Sequence, residues 1–72
     1  MSVAAPGGAP LRLATDIALQ FRHLPEEEAA ERVATHLRMF WDPRMRTRLR
    51  EAVDSGVDCD PVVARAAALL PR

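Results

Sequence analysis

An all-α fold, a small irregular bundle of about four short helices, is predicted by three observations. Prolines and glycines at Pro25, Pro43, Gly56, Pro61 and Pro71 cut the chain from Pro10 onward into segments of helical length. Within those segments the apolar residues recur at helical spacing, and none shows the β-branched alternation of a strand. Two segments open with Asp-Pro, at Asp42-Pro43 and Asp60-Pro61. That pair places a capping carboxylate before a residue whose fixed φ suits the first helical position.

Taken in order, residues 1–9 (MSVAAPGGA) are small, contain Pro and Gly and lack periodicity, so they read as a disordered leader before a single helical domain over 10–72. The first helix is expected from Leu11 to His23, with Ala14, Ile17, Ala18 and Phe21 on its apolar face. A second is expected from Pro25 to Phe40, with Pro25 at the first helical position and Glu26, Glu27 and Glu28 favouring the positive end of the macrodipole. Its stripe is Ala30, Val33, Ala34 and Leu37, continued by Phe40 or Trp41. Glu28 and Arg32 stand four residues apart in the favourable orientation, for a surface pair worth roughly 0.2–0.5 kcal/mol.

The third helix starts with Asp42 as N-cap and Pro43 next, and is expected to bury Met45, Leu49, Ala52 and Val53 before stopping at Gly56. The fourth repeats the device with Asp60 and Pro61, and its expected core residues are Val62, Val63, Ala66, Leu69 and Leu70.

Composition narrows the function classes. With 72 residues the chain makes at most one small domain, and chains of this size bury only ~60% of the surface they expose when unfolded. Many of its apolar residues are Ala, and there are only two Phe, one Trp and no Tyr, so a partner is the easy source of further burial. Ten Arg balance ten Asp and Glu, with no Lys, which argues against non-specific nucleic-acid binding and against a membrane-surface role. The single cysteine, Cys59, excludes an internal disulfide and fits a reducing compartment. With no secretory pattern at the start and no apolar run of about 18 residues, the expected location is cytoplasmic.

Chemistry is thinly represented. His23 and His36 are the only histidines, and neither stands in a catalytic or metal-ligating spacing with a nucleophile, a thiol or a second histidine. A chain this small also encloses no water-excluded pocket. No catalytic, cofactor-binding or metal residue is therefore assigned. Cys59 lies between Asp58 and Asp60, which should raise its pKa and discourage thiolate chemistry.

The stretch Phe40-Trp41-Asp42-Pro43-Arg44-Met45-Arg46 carries more information. It joins large aromatics to a rigid helix corner and opens a run with Arg44, Arg46, Arg48 and Arg50 at every second position. At 100° per residue, Arg44 and Arg48 lie on one flank of the Met45/Leu49 stripe, and Arg46 and Arg50 on the other. One reading is a solvated helix with local Arg48–Glu51 and Arg50–Asp54 pairs. The other is a docking edge, joined by Arg38, that pairs with acids on another protein, since Arg and Trp are frequent interface hot spots. Phe40 is expected to continue the core stripe, while Trp41 either packs over the corner or meets a partner. A DNA-binding helical regulator is a further alternative, weakened by the acidic second helix and the near absence of base-reading Asn, Gln and Lys.

These residues carry a family resemblance. The stretch Leu13-Ala14-Thr15-Asp16-Ile17-Ala18-Leu19-Gln20-Phe21, the Pro and acidic helix after it, Val33-Ala34-Thr35-His36-Leu37-Arg38, the Phe40–Arg46 motif, and Pro61-Val62-Val63 together resemble the small delta subunit of NAD-dependent, molybdenum-containing formate dehydrogenases. The likeness covers about residues 11–70. It departs where the family has a Met-Ala-Asn-Gln-Ile type sequence against Leu13–Ile17, and a glycine-richer turn against Gly56–Asp60.

The resemblance implies a non-catalytic accessory subunit that binds no cofactor itself. Partner subunits would carry the molybdenum cofactor, the iron–sulfur clusters and FMN. The implied role is docking on the large catalytic subunit and stabilising it or assisting its assembly; a transient maturation chaperone is the alternative, and self-association of the free chain stays open. The partner-binding residues would be the corner itself (Phe40, Trp41, Asp42, Pro43, Arg44, Met45 and Arg46), flanked by Arg38 and Arg50.

Overall fold

A computed structural model describes residues 8–71, which form four helices: α1 (Gly8–Leu19), α2 (Glu26–Phe40), α3 (Pro43–Asp54) and α4 (Pro61–Leu69). Among the described residues there is no strand. The leader expected over residues 1–9 lies, for residues 1–7, outside the described residues, and Gly8 and Ala9 already belong to α1. Gly8 enters the helix at φ 68°, a left-handed backbone that glycine adopts without penalty, and Pro10 is tolerated in a first turn that needs no N–H partner.

The first helix stops earlier than its periodicity suggests. After Leu19 the chain tightens, with Gln20 donating to the Ile17 carbonyl, Phe21 to Ala18 and Leu24 to Phe21, each at 3.0 Å. These are three-residue steps rather than the four of an α-helix. Leu24 precedes Pro25, whose ring disfavours helical backbone in the residue before it, and the narrowed turn delivers the chain to that break. Pro25 stands one step outside α2, at φ −55° and ψ 150°, and its carbonyl accepts from the Ala29 N–H at 2.8 Å. No side chain caps this end; Glu26, Glu27 and Glu28 face its positive dipole instead.

Both Asp-Pro starts form as their sequence demands. Asp42 accepts from the Met45 N–H at 2.9 Å and Asp60 from the Val62 N–H at 2.8 Å, with Pro43 and Pro61 opening their helices. Each such cap is worth ~1 kcal/mol over alanine. At the far end of α3, Gly56 takes φ 86°, the left-handed residue that lets the chain turn away.

The core is alanine-rich. Among the described residues, seven of the thirteen buried apolar ones are alanines: Ala14, Ala18, Ala29, Ala30, Ala34, Ala66 and Ala67. Small side chains let helix axes approach closely, and α2 and α4 make the most extensive contact in the molecule. Arg65 reaches Glu26 at 3.3 Å and Glu27 at 3.7 Å, while Leu69, one turn further on, shares a groove with Ala34 and Arg38. The two helices therefore run in broadly the same direction, and α3, which connects them along the chain, runs back the other way packed on α1 and α4. Leu37, Leu49, Val33 and Val63 are the large side chains sealed at the centre, and full burial of a leucine stabilises by roughly 1.5–3 kcal/mol.

Several expected core positions differ. On α3 only Leu49 is buried, and Met45, Ala52 and Val53 are half-buried, because this helix covers the bundle with a narrow stripe between arginine flanks. On α4 the buried set is Val63, Ala66, Ala67 and Leu70; Val62 is half-buried and Leu69 is half-exposed. Leu11 and Ala29 join the core in addition.

Candidate docking surface

The corner between α2 and α3 is built from within. Trp41 leaves α2 with extended backbone, φ −95° and ψ 143°, and Asp42 continues extended at φ −74° and ψ 162°, as a residue before proline must. One turn into α3, Arg46 folds back onto the end of α2. Its Nη1 donates to the Trp41 carbonyl and lies 3.4 Å from each of the Leu37 and Arg38 carbonyls. These oxygens are the negative pole of α2, and a guanidinium there answers both their hydrogen-bonding need and the helix dipole. Arg46 is half-buried, so much of its side chain serves the corner rather than solvent.

Of the two aromatics, Phe40 departs from its expected place, and Trp41 takes the packed one of its two alternatives. Phe40 is not a core residue: it is 69% exposed and lies against His36, ring centroids 4.8 Å apart and tilted by 42°. Trp41 is the half-buried one and packs on the core. Trp41 stands four residues after Leu37 and Phe40 three, so helical spacing admits either. The extended backbone at Trp41, clamped through its carbonyl by Arg46, decides for the indole.

The remaining predicted residues divide accordingly. Asp42 and Pro43 cap and open α3, and Arg50 donates through Nη1 to the Pro71 carbonyl at 3.1 Å, tying α3 to the end of α4. Met45 is half-buried. Arg38 and Arg44 are exposed; the one internal bond of Arg38 is a 3.4 Å contact to the Thr35 hydroxyl. The local pairs expected for Arg48–Glu51 and Arg50–Asp54 are not among the ion pairs of the described residues, which join Arg32 to Glu28 at 3.9 Å and Arg65 to Glu26 and Glu27.

Two residues of this surface escaped sequence reasoning. Met39 is 70% exposed beside Phe40, and Leu69 is 47% exposed across the groove from Arg38. Met39 had a signal available: at 200° from Leu37 it is a large apolar residue on the polar side of an amphipathic helix. The last turn of α2 thus presents Arg38, Met39 and Phe40 around its outer side, with Arg44 and Arg48 exposed on the next helix. Beside them Asp42, Pro43, Arg44, Thr47, Arg48 and Glu51 line a shallow open groove.

Elsewhere the molecule offers little chemistry. Among the described residues no three His, Cys, Asp or Glu side chains converge where they could hold a metal ion. No helix there is long and apolar enough to cross a membrane. Burial pushes the Cys59 thiol up, and Asp58 and Asp60 push it further, which disfavours the reactive thiolate. Rigid backbone, protruding apolar side chains and exposed guanidinium groups are the materials of a protein-docking surface.

Residues 11–67 match the family model described as the NADH-dependent formate dehydrogenase delta subunit FdsD. No curated protein and no solved structure matches the chain.

Proposed function

Because the chain belongs to the delta-subunit family of NADH-dependent formate dehydrogenases, we propose that it is a non-catalytic accessory subunit that docks through its α2–α3 corner on the cofactor-bearing large subunit. The observation that carries this reading is the pair Met39 and Phe40, 70% and 69% exposed, on a corner fixed by the Asp42 cap and the Arg46 clamp. Exposed apolar side chains of this size gain by burial against a partner, and a corner already rigid loses little entropy on docking. The alanine core supports the same reading, since a thin core leaves stability to be gained from association.

In this reading the molybdenum cofactor, the iron–sulfur clusters and FMN reside on partner subunits. This chain acts by mass action, favouring the assembled state of the large subunit that it binds.

The test is to recover the tagged full-length chain from its native cells and measure metal content and formate-dependent NAD reduction in the eluate. Recovery at equal stoichiometry with an active, metal-bearing complex identifies a resident subunit. Recovery with only an inactive, cofactor-free large subunit identifies an assembly factor. Recovery without any formate dehydrogenase subunit overturns the proposal.

A further inference from the structure

The charge of this neutral chain is segregated, and the segregation specifies what the corner binds. From Leu37 to Arg50 there are five arginines and one carboxylate, Asp42, which already accepts from the Met45 N–H. From Glu51 to Asp60 there are four carboxylates (Glu51, Asp54, Asp58 and Asp60) and no basic residue. The other acidic group, at the start of α2, is partly engaged by Arg32 and Arg65. Net neutrality therefore hides a basic corner at one end of α3 and an acidic turn at the other.

Within the basic corner the arginines are not equivalent. Arg46 and Arg50 donate to backbone carbonyls of α2 and of Pro71, so they hold the structure. Arg38, Arg44 and Arg48 are exposed and form no ion pair among the described residues. Arg38 adjoins Met39 and Phe40 at the end of α2, the two most exposed large apolar side chains described, and Arg44 and Arg48 follow on the next helix.

We infer that the occupant of this surface is an acidic protein surface, one that offers carboxylates to Arg38, Arg44 and Arg48 around an apolar recess that takes Phe40 and Met39. This rests on the docking reading above and adds the partner's chemistry to it. Guanidinium groups match carboxylates bidentately, and opposite charge across an interface steers encounter and sets orientation. A nucleic acid or anionic membrane fits less well. The acidic turn at the end of the same helix repels an extended polyanion, and Met39 calls for an apolar recess. A second copy of the chain would have to set this corner against its acidic turn, which exposes no comparable apolar side chain, or against the start of α2, whose Glu26, Glu27 and Glu28 are already paired with Arg65 and Arg32.

The experiment titrates the full-length chain against the large formate dehydrogenase subunit, in salt raised from about 0.05 M to about 0.3 M, a span over which exposed charge pairs are progressively screened. The inference expects Kd to rise about tenfold across that span and association to slow with it. The double variant Arg38→Glu/Arg44→Glu should bind about tenfold or more weakly at low salt and lose most of the salt response. Arg12→Glu/Arg22→Glu, which reverses two exposed charges on and just after α1, should change little. Far-UV circular dichroism of each variant separates lost binding from lost fold.

A salt-independent Kd with an unaffected double variant overturns the acidic-partner inference. The docking reading survives that result if Phe40→Ala still weakens binding. A wild-type chain that never binds the large subunit overturns both. Tighter binding to heparin or to anionic vesicles than to the large subunit, or a dimer broken by the double variant, also overturns the inference.

Discussion

Arg46 separates what builds the corner from what docks on it, and its removal has a calculable cost. In Arg46→Ala the carbonyls of Leu37, Arg38 and Trp41 lose a cationic donor at the negative end of α2. Only the contact to Trp41 is short; the other two, at 3.4 Å, add little as hydrogen bonds. A hydrogen bond to a charged group is worth roughly 1.5–3 kcal/mol, and a cation at a helix C-terminus adds about 0.3–1 kcal/mol. The guanidinium is only half-buried, so water replaces part of what is lost. The net expectation is about 1.5–2.5 kcal/mol. For a domain of this size each kcal/mol moves Tm by about 4–8 °C, so thermal melting of the isolated chain should fall by roughly 6–20 °C. Arg44→Ala removes an exposed side chain of the same type and should move stability by less than about 0.5 kcal/mol. Arg46→Lys should recover the dipole contribution but not the multiple contact of the guanidinium. If Arg46→Ala melts within a degree or two of the wild type while Arg44→Ala does not, the clamp is wrongly assigned.

Three further outcomes are expected. Asp42→Ala and Asp60→Ala each lose a side-chain cap and should cost ~1 kcal/mol in urea unfolding, whereas Asp42→Asn should cost far less. Leu37→Ala and Leu49→Ala open cavities at fully buried positions and should each cost about 2–5 kcal/mol, enough to leave the isolated chain largely unfolded at room temperature; two stable, cooperatively melting variants would refute the assigned core. The Cys59 thiol, raised by burial and then by Asp58 and Asp60, is held neutral in the folded chain while the unfolded thiol ionises near its ordinary value of 9.0. Stability from this group is complete below that pH and is lost as pH rises from there through the folded value, so Cys59→Ser should flatten the alkaline limb of the stability profile.

Particular residues show how far local sequence reaches. Asp42-Pro43 and Asp60-Pro61 placed two helix starts to the residue, because a cap and a fixed φ act within one turn of chain and need no distant partner. Gly56 marked the end of α3 for the same reason. The Glu28–Arg32 pair lies on one helix surface and was equally readable. The end of α1 was not, since its periodic pattern runs on through Phe21 while the chain tightens ahead of Pro25. Of the candidate docking residues, Arg38 and Arg44 are as exposed as their positions suggest and Met39 stands on the polar side of α2 by periodicity alone, whereas Leu69 emerges only once the neighbouring helices are in place.

The sequence by itself determined four helices, the corner between the second and third, the absence of any catalytic spacing, and the likeness to a delta subunit. Tertiary structure alone decided which members of each apolar set go inside and which arginines are spent on the fold. Phe40 and Trp41 are both compatible with the α2 stripe, and the choice fell to the backbone where the chain leaves the helix. Arg44 and Arg46 are the same residue two positions apart, yet one faces solvent and the other holds the carbonyl end of a different helix. Periodicity reports the direction a side chain takes from its own helix axis. What stands in that direction is set by how the other helices pack, and that is a property of the whole chain.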